Sequence, residues 1–186
     1  LEITCLGRSV PRASNCSPGC CVAKGGLALA VIDSLKVSDP SPRSCRARTA
    51  CVRAVTRSLQ GPLDGIVANA GIMALPRLEL IQGIERQFFT NHIGHFVLVT
   101  GLLDRLTAEG RVVMVSSAAH KRAPSGGIDF DNLDGSKSYT PWSAYGRSKL
   151  ANLLFAKELA KRLPKGRVAL SLHPGVIATN LTRHMN

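Results

Sequence analysis

From residue 61 onward the apolar and polar positions fall into blocks whose length and period assign elements. Leu63–Ala68 (LDGIVA) is a short apolar run closed by Asn69, the signature of a buried strand. Residues 81–106 stay mostly apolar over a length that only a helix uses, and Glu109-Gly110 is expected to close it. Residues 111–115 predict a second buried strand and Val168–Leu172 a third. Between them lie a polar loop with Gly and Pro, from His120 to Pro141, and a helix over residues 144–163. Lys157, Lys161 and Arg162 stand toward that helix's C-terminus, where its dipole favours cations. Strand, helix, strand, helix, strand, with strands that do not alternate in polarity, implies a parallel sheet covered on both faces.

Before residue 60 the pattern breaks down. Ser, Arg, Cys and Pro dominate, and only the apolar run at 26–32 and a helical stretch at 49–59 read as elements. The chain therefore divides into an atypical part, 1–59, and a regular part, 60–186, of what its 186 residues make a single domain.

Composition narrows the function classes. Hydrophobic residues at 45% suit a packed core, and aromatics at 4% make that core aliphatic. No run of about 18 apolar residues predicts a membrane span, and no basic-then-apolar leader is present, so a cytoplasmic location is expected. The net charge of +12 raises a nucleic-acid reading. Residues 1–59 hold nine basic against three acidic residues, but no aromatic, so the interleaving that nucleic-acid binders use is missing. No nucleic-acid partner is expected. All six cysteines lie between Cys5 and Cys51. The C-x3-C-C of Cys16, Cys20 and Cys21 does not repeat, and the nearest His is His92, so no metal site is expected either.

In a parallel sheet the ligand crevice lies beyond the carboxyl ends of the strands. Three sets of residues stand there: Asn69-Ala70-Gly71, Ser116-Ser117 and His173-Pro174-Gly175. A helix carrying Tyr145 and Lys149 four residues apart puts both on one face. A free Tyr titrates near ~10, too high for acid–base work at neutral pH, and a neighbouring ammonium is expected to lower that value.

These blocks, in order, are Ala68-Asn69-Ala70-Gly71, residues 90–96 (TNHIGHF), residues 115–120 (VSSAAH), Tyr145-Gly146-Arg147-Ser148-Lys149 and His173-Pro174-Gly175-Val176. Together they resemble the short-chain dehydrogenase/reductase family, and within it the retinol-dehydrogenase-like branch. The resemblance implies a Rossmann-like doubly wound parallel sheet and an NAD- or NADP-dependent oxidoreductase acting on a small alcohol or carbonyl. It implies a catalytic tetrad of Asn91, Ser117, Tyr145 and Lys149. Tyr145 would exchange the proton, Ser117 would orient the substrate, and Lys149 would also hold the nicotinamide ribose. Asn91 would anchor a water leading from Lys149 to solvent. Cofactor contacts would come from Asn69, Ala70, Gly71, Asn91, Tyr145, Lys149, Pro174, Gly175, Val176 and Thr179. A homodimer or homotetramer through the two long helices is also implied. Residues 92–95 spell HIGH as well, a signature of class I aminoacyl-tRNA synthetases. There it opens a helix after the first strand, whereas here it lies inside a helix, so His92 and His95 read as packing or surface residues.

The chain departs from the family at its edges. The family begins with a strand and a T-G-x-x-x-G-x-G loop that cradles the pyrophosphate; Gly25-Gly26 does not supply one, and the first strand and loop are expected to be missing, as is the last strand of the sheet. Residues 8–48 show little of the family's second strand, and their Ser, Arg, Cys and Pro content is what a reading-frame error would leave. A verified gene sequence continuous through those codons would contradict that. The alternative reading is thus a non-catalytic fragment that keeps the tetrad and binds no cofactor.

Overall fold

The computed structural model describes residues 61–175 throughout, the strand backbone at 27–30, and Thr49, Val52, Arg53, Thr56, Arg57 and Leu59. Four strands form one parallel sheet: β1 (Leu27–Ala30), β2 (Leu63–Ala68), β5 (Leu106–Val115) and β6 (Val168–Leu172), in the spatial order β1-β2-β5-β6. A short antiparallel hairpin, β3 (Leu80–Ile81) and β4 (Ile84–Glu85), lies apart from it. After β4 comes one continuous helical run: α1 (Arg86–Phe88), a π-helical turn (Phe89–Ile93) and α2 (Gly94–Thr100). The chain then crosses into β5, and α3 (Pro141–Arg162) leads to β6.

The register explains the burial pattern. Ile66, Val112 and Ala169 stand side by side across the sheet, and Ala68 and Met114 do so two residues on. These side chains join Leu98, Val99 and Leu102 from the first helical run and Ala156 and Leu159 from α3 in one buried cluster, to which Val52 and Leu59 also belong. The opposite row, Val67, Val113 and Leu170, grades from half-buried to 49% exposed at Leu170. Among the described residues the helices therefore cover one face. The second face keeps the aliphatic pattern that a sheet covered on both sides requires.

Strands β2 and β6 match the elements expected from sequence, and the helix expected at 144–163 occupies Pro141–Arg162. Pro141 suits its first turn because a proline there loses no hydrogen bond, and Thr140 caps it through Ser143 N at 3.3 Å. The helix expected over 81–106 is shorter, and the reasons are local. Gln82 and Gly83 both take positive φ, 53° and 78°, to turn the β3–β4 hairpin. Glu85 then caps the helix by accepting from Gln87 N (2.9 Å) and Phe88 N (2.8 Å). At the far end Gly101 closes α2, and Leu106 already pairs with Leu63. Glu109 and Gly110 do not close a helix; they lie within β5. No helix among the described residues is long and apolar enough to cross a membrane.

Candidate functional site

The carboxyl ends of β2, β5 and β6 place Asn69-Ala70-Gly71, Ser116-Ser117 and His173-Pro174-Gly175 along one edge of the sheet. Gly175 takes φ +87°, a turn glycine makes without strain. Val176 and Thr179 lie outside the described residues, as do the six cysteines.

β5 delivers Ser117 as the cap of a 3-10 turn, Ala118–Arg122, whose Ala119 N donates to Ser117 Oγ at 3.2 Å. That turn is seated against α3 at Gly146. A Cβ there would stand 2.6 Å from Ala119 O and 2.8 Å from Ala123 N, so only glycine allows the approach. The approach brings the Ser117 hydroxyl near enough to the Tyr145 phenol to pull its pKa downward. Tyr145 is buried, and its ring meets Trp142 edge-on at 6.1 Å.

Lys149 is placed as the spacing predicts, with Nζ 5.7 Å from the Tyr145 ring centroid. Its Nζ donates to Val115 O at 3.0 Å, and Ser116 Oγ donates to the Lys149 carbonyl at 2.7 Å. The first of the two serines thus ties α3 to β5, while the second faces Tyr145. Burial pushes the Lys149 amine down to about 8, which leaves it mostly protonated at neutral pH. The expected lowering of the Tyr145 phenol does not occur in this state. Burial holds it above its ordinary value, and the Ser117 hydroxyl opposes that only in part. The physical reason is that the ammonium is directed at a backbone carbonyl rather than at the phenol oxygen.

Asn91 sits in the π-helical turn, fully buried. Its amide works as a clamp: Oδ1 accepts from Ile72 N at 2.8 Å, and Nδ2 donates to Ile72 O at 2.9 Å and to Ser148 Oγ at 2.9 Å. Ser148 Oγ in turn donates to Tyr145 O at 2.7 Å. One amide therefore joins the end of β2, the helical run and α3. Gly71 lies between them; a Cβ there would be 3.3 Å from Asn91 Oδ1 and 3.6 Å from Lys149 Nζ.

Sequence reasoning missed the π turn and the two residues that brace it. His95, 0% exposed, donates from Nδ1 to the Asn91 carbonyl at 2.7 Å. His92 pairs with Asn152 at 3.1 Å, and Asn152 reaches Val115 O at 3.2 Å. A period of apolar positions carries no mark of a π turn, because the extra residue is set by what Asn91 must reach.

Burial lowers His95 to about 3, with the Lys149 charge adding to the effect. An unfolded His titrates near ~6.5. Between those values the unfolded chain binds the extra proton, so this contribution is intact above 6.5 and is lost as pH falls toward 3. Urea unfolding at pH 7 and pH 4 should show a loss for the native chain that exceeds the loss for His95→Leu by on the order of 3 kcal/mol. Equal losses would mean that His95 titrates normally when folded.

The edge residues fit one half of a dinucleotide. Tyr145 and Lys149 on one helix face can hold a ribose, and the glycine at 71 keeps the approach to them open. No glycine-rich turn from strand to helix, of the kind that holds a pyrophosphate, stands among the described residues.

Comparison with known proteins points to one family and fold. The model of the short chain dehydrogenase family matches residues 42–130. Human retinol dehydrogenase 14 is 39% identical over 184 residues, covering 97% of this chain and 52% of that protein. An uncharacterised protein of Mycobacterium paratuberculosis, known from its crystal structure, is 44% identical with a TM-score of 0.62, over 73% of this chain and 50% of that one. A blue fluorescent protein from a metagenomic library, solved in complex with NADPH, is 26% identical with a TM-score of 0.57, over 73% and 51%. The chain spans about half the length of the relatives it matches.

Proposed function

We propose, from the premise that the chain belongs to the short-chain dehydrogenase/reductase family in its retinol-dehydrogenase-like branch, that it binds NAD or NADP and interconverts an alcohol and a carbonyl. The observation that carries this reading is the juxtaposition of Ser117, at the carboxyl end of β5, with Tyr145, and the Lys149 ammonium one turn along the same helix, 5.7 Å from the Tyr145 ring centroid. The nicotinamide, when bound, supplies or takes up the hydride.

The chain's own residues handle the proton. In reduction Tyr145 donates its phenolic proton to the carbonyl oxygen, and in oxidation the phenolate accepts it from the alcohol. Its raised pKa keeps the phenol protonated at neutral pH, so the donor form is the resting form. Ser117 Oγ orients the substrate oxygen. Lys149 would hold the cofactor's ribose, and its charge would stabilise the phenolate left after proton transfer. Asn91 holds the loop at Ile72 through its amide, and its carbonyl, braced by His95, is the point at which a water would link Lys149 to solvent. Asn69, Ala70 and Gly71 would line the adenosine side and Pro174-Gly175 would bend the chain beside the cofactor, while Val176 and Thr179, outside the described residues, are kept as cofactor contacts on the resemblance alone. A cytoplasmic location and a dimer or tetramer belong to the same reading.

The test is carbonyl reduction by the 186-residue chain, followed as loss of reduced-nicotinamide absorbance with an aromatic ketone as substrate. Steady turnover with NADPH or NADH is expected. A folded chain that turns over neither would favour the second reading, a non-catalytic chain that keeps the four residues. The observation on its side is the absence, among the described residues, of a glycine-rich pyrophosphate turn.

A further inference from the structure

On the reading of Ser117 and Tyr145 as the carbonyl site, we infer that Arg122, stacked on Trp142, makes the mouth of that site selective for carbonyl compounds carrying a carboxylate on an apolar body. The 3-10 turn that begins at Ser117 ends with His120, Lys121 and Arg122. Its seat on Gly146 fixes the far end of the turn as firmly as the near end, since the Arg122 carbonyl carbon would lie 2.9 Å from a Cβ at that glycine. The Arg122 backbone is therefore seated against Gly146, the residue that follows Tyr145 on α3.

Its guanidinium stacks over the Trp142 ring at 4.5 Å from the centroid, and the same ring meets Tyr145 edge-on. Trp142 and Tyr145 are three residues apart on α3 and share a face. The order is then phenol, indole, guanidinium: the reactive group, an apolar wall and a positive charge. A substrate with its carbonyl oxygen at Tyr145 would lay its hydrocarbon body along the indole and present its other end to Arg122.

Among the described residues no ion pair compensates this charge. The ion pairs among the described residues join Arg86 to Glu79 and Lys161 and Arg162 to Glu158, and none involves Lys121 or Arg122. The first turn of α3 holds no acidic residue. Both basic side chains are exposed and free to meet a carboxylate from solvent. Arg122 offers the planar fork that binds a carboxylate through two hydrogen bonds, and stacking on Trp142 pre-orients it.

Trp142 is the chain's single tryptophan, so its fluorescence reports this mouth alone. The experiment titrates 4-acetylbenzoate and its neutral counterpart 4-methylacetophenone into the full chain, into Arg122→Gln and into Arg122→Lys. The native chain should bind the acid about tenfold more tightly, corresponding to about 1.4 kcal/mol, and the preference should shrink in high salt. Arg122→Gln should bring the two ketones within about twofold of each other, with Arg122→Lys in between. Equal affinities in the native chain, a preference that survives Arg122→Gln, or no response of Trp142 to either ketone would overturn the inference. Reduction of the same two ketones with NADPH separates it from the reading beneath it. A carboxylate preference without turnover leaves the anion-selective mouth standing while the oxidoreductase reading fails, and turnover without preference does the reverse.

Discussion

Replacing Tyr145 with Phe is expected to lower kcat for carbonyl reduction about a thousandfold while leaving the Kd for NADPH within about threefold. The ring is buried and packs edge-on against Trp142, and phenylalanine keeps both features. What is lost is one hydroxyl: the proton for the carbonyl oxygen and the partner of Ser117. A positioned general acid contributes about 10²- to 10⁴-fold, and nothing nearby replaces it, since the Lys149 ammonium is engaged with the Val115 carbonyl. Kinetics with saturating cofactor, paired with calorimetry of NADPH, separates the two quantities. If rate and cofactor affinity fell together, Tyr145 would be a packing residue.

The second large effect concerns stability. Asn91→Ala is expected to cost about 3–5 kcal/mol of unfolding free energy, measured by urea denaturation at pH 7. The substitution strips the Ile72 amide and carbonyl of their side-chain partner and removes a donor from Ser148. The side chain is 0% exposed, so water does not replace those bonds without opening the site. Asn91→Asp should not rescue. It keeps an acceptor for the Ile72 amide but turns a carboxylate oxygen toward the Ile72 carbonyl, where Nδ2 now donates. A loss below about 1 kcal/mol for Asn91→Ala would show that the clamp is dispensable.

What the sequence disclosed follows from which interactions are local. Leu63–Ala68 and Val168–Leu172 are legible because both are short, mostly aliphatic runs of strand length, and their ends carry Asn69 and His173-Pro174. Tyr145 and Lys149 are legible because helical spacing alone brings them to one face. The long helix over 81–106 was not. Its start depends on a Gln82–Gly83 turn and on Glu85 as an unusual cap, and its end on β5 pairing with β2 at Leu63. The clamp made by Asn91 was not legible either, because Ile72 and Ser148 are 19 and 57 residues away. What separates Ser116 from Ser117 is spatial: the first donates to the Lys149 carbonyl, and the second caps the turn at Ala119, neither of which composition encodes.

The same separation of local from distant bears on Tyr145. Spacing puts an ammonium near the phenol, but the ammonium donates to the Val115 carbonyl, and burial holds the phenol protonated. Under the proposed function, that protonated phenol is the donor toward a carbonyl, and the reverse reaction would need phenolate that Lys149 helps to form.

The most direct test of the central claim is a calorimetric titration of NADPH, then NADH, into the folded 186-residue chain and into Lys149→Met. The account predicts binding at about the micromolar level by the native chain, weakened at least about tenfold in Lys149→Met. A native chain that is folded and takes up neither cofactor would contradict it.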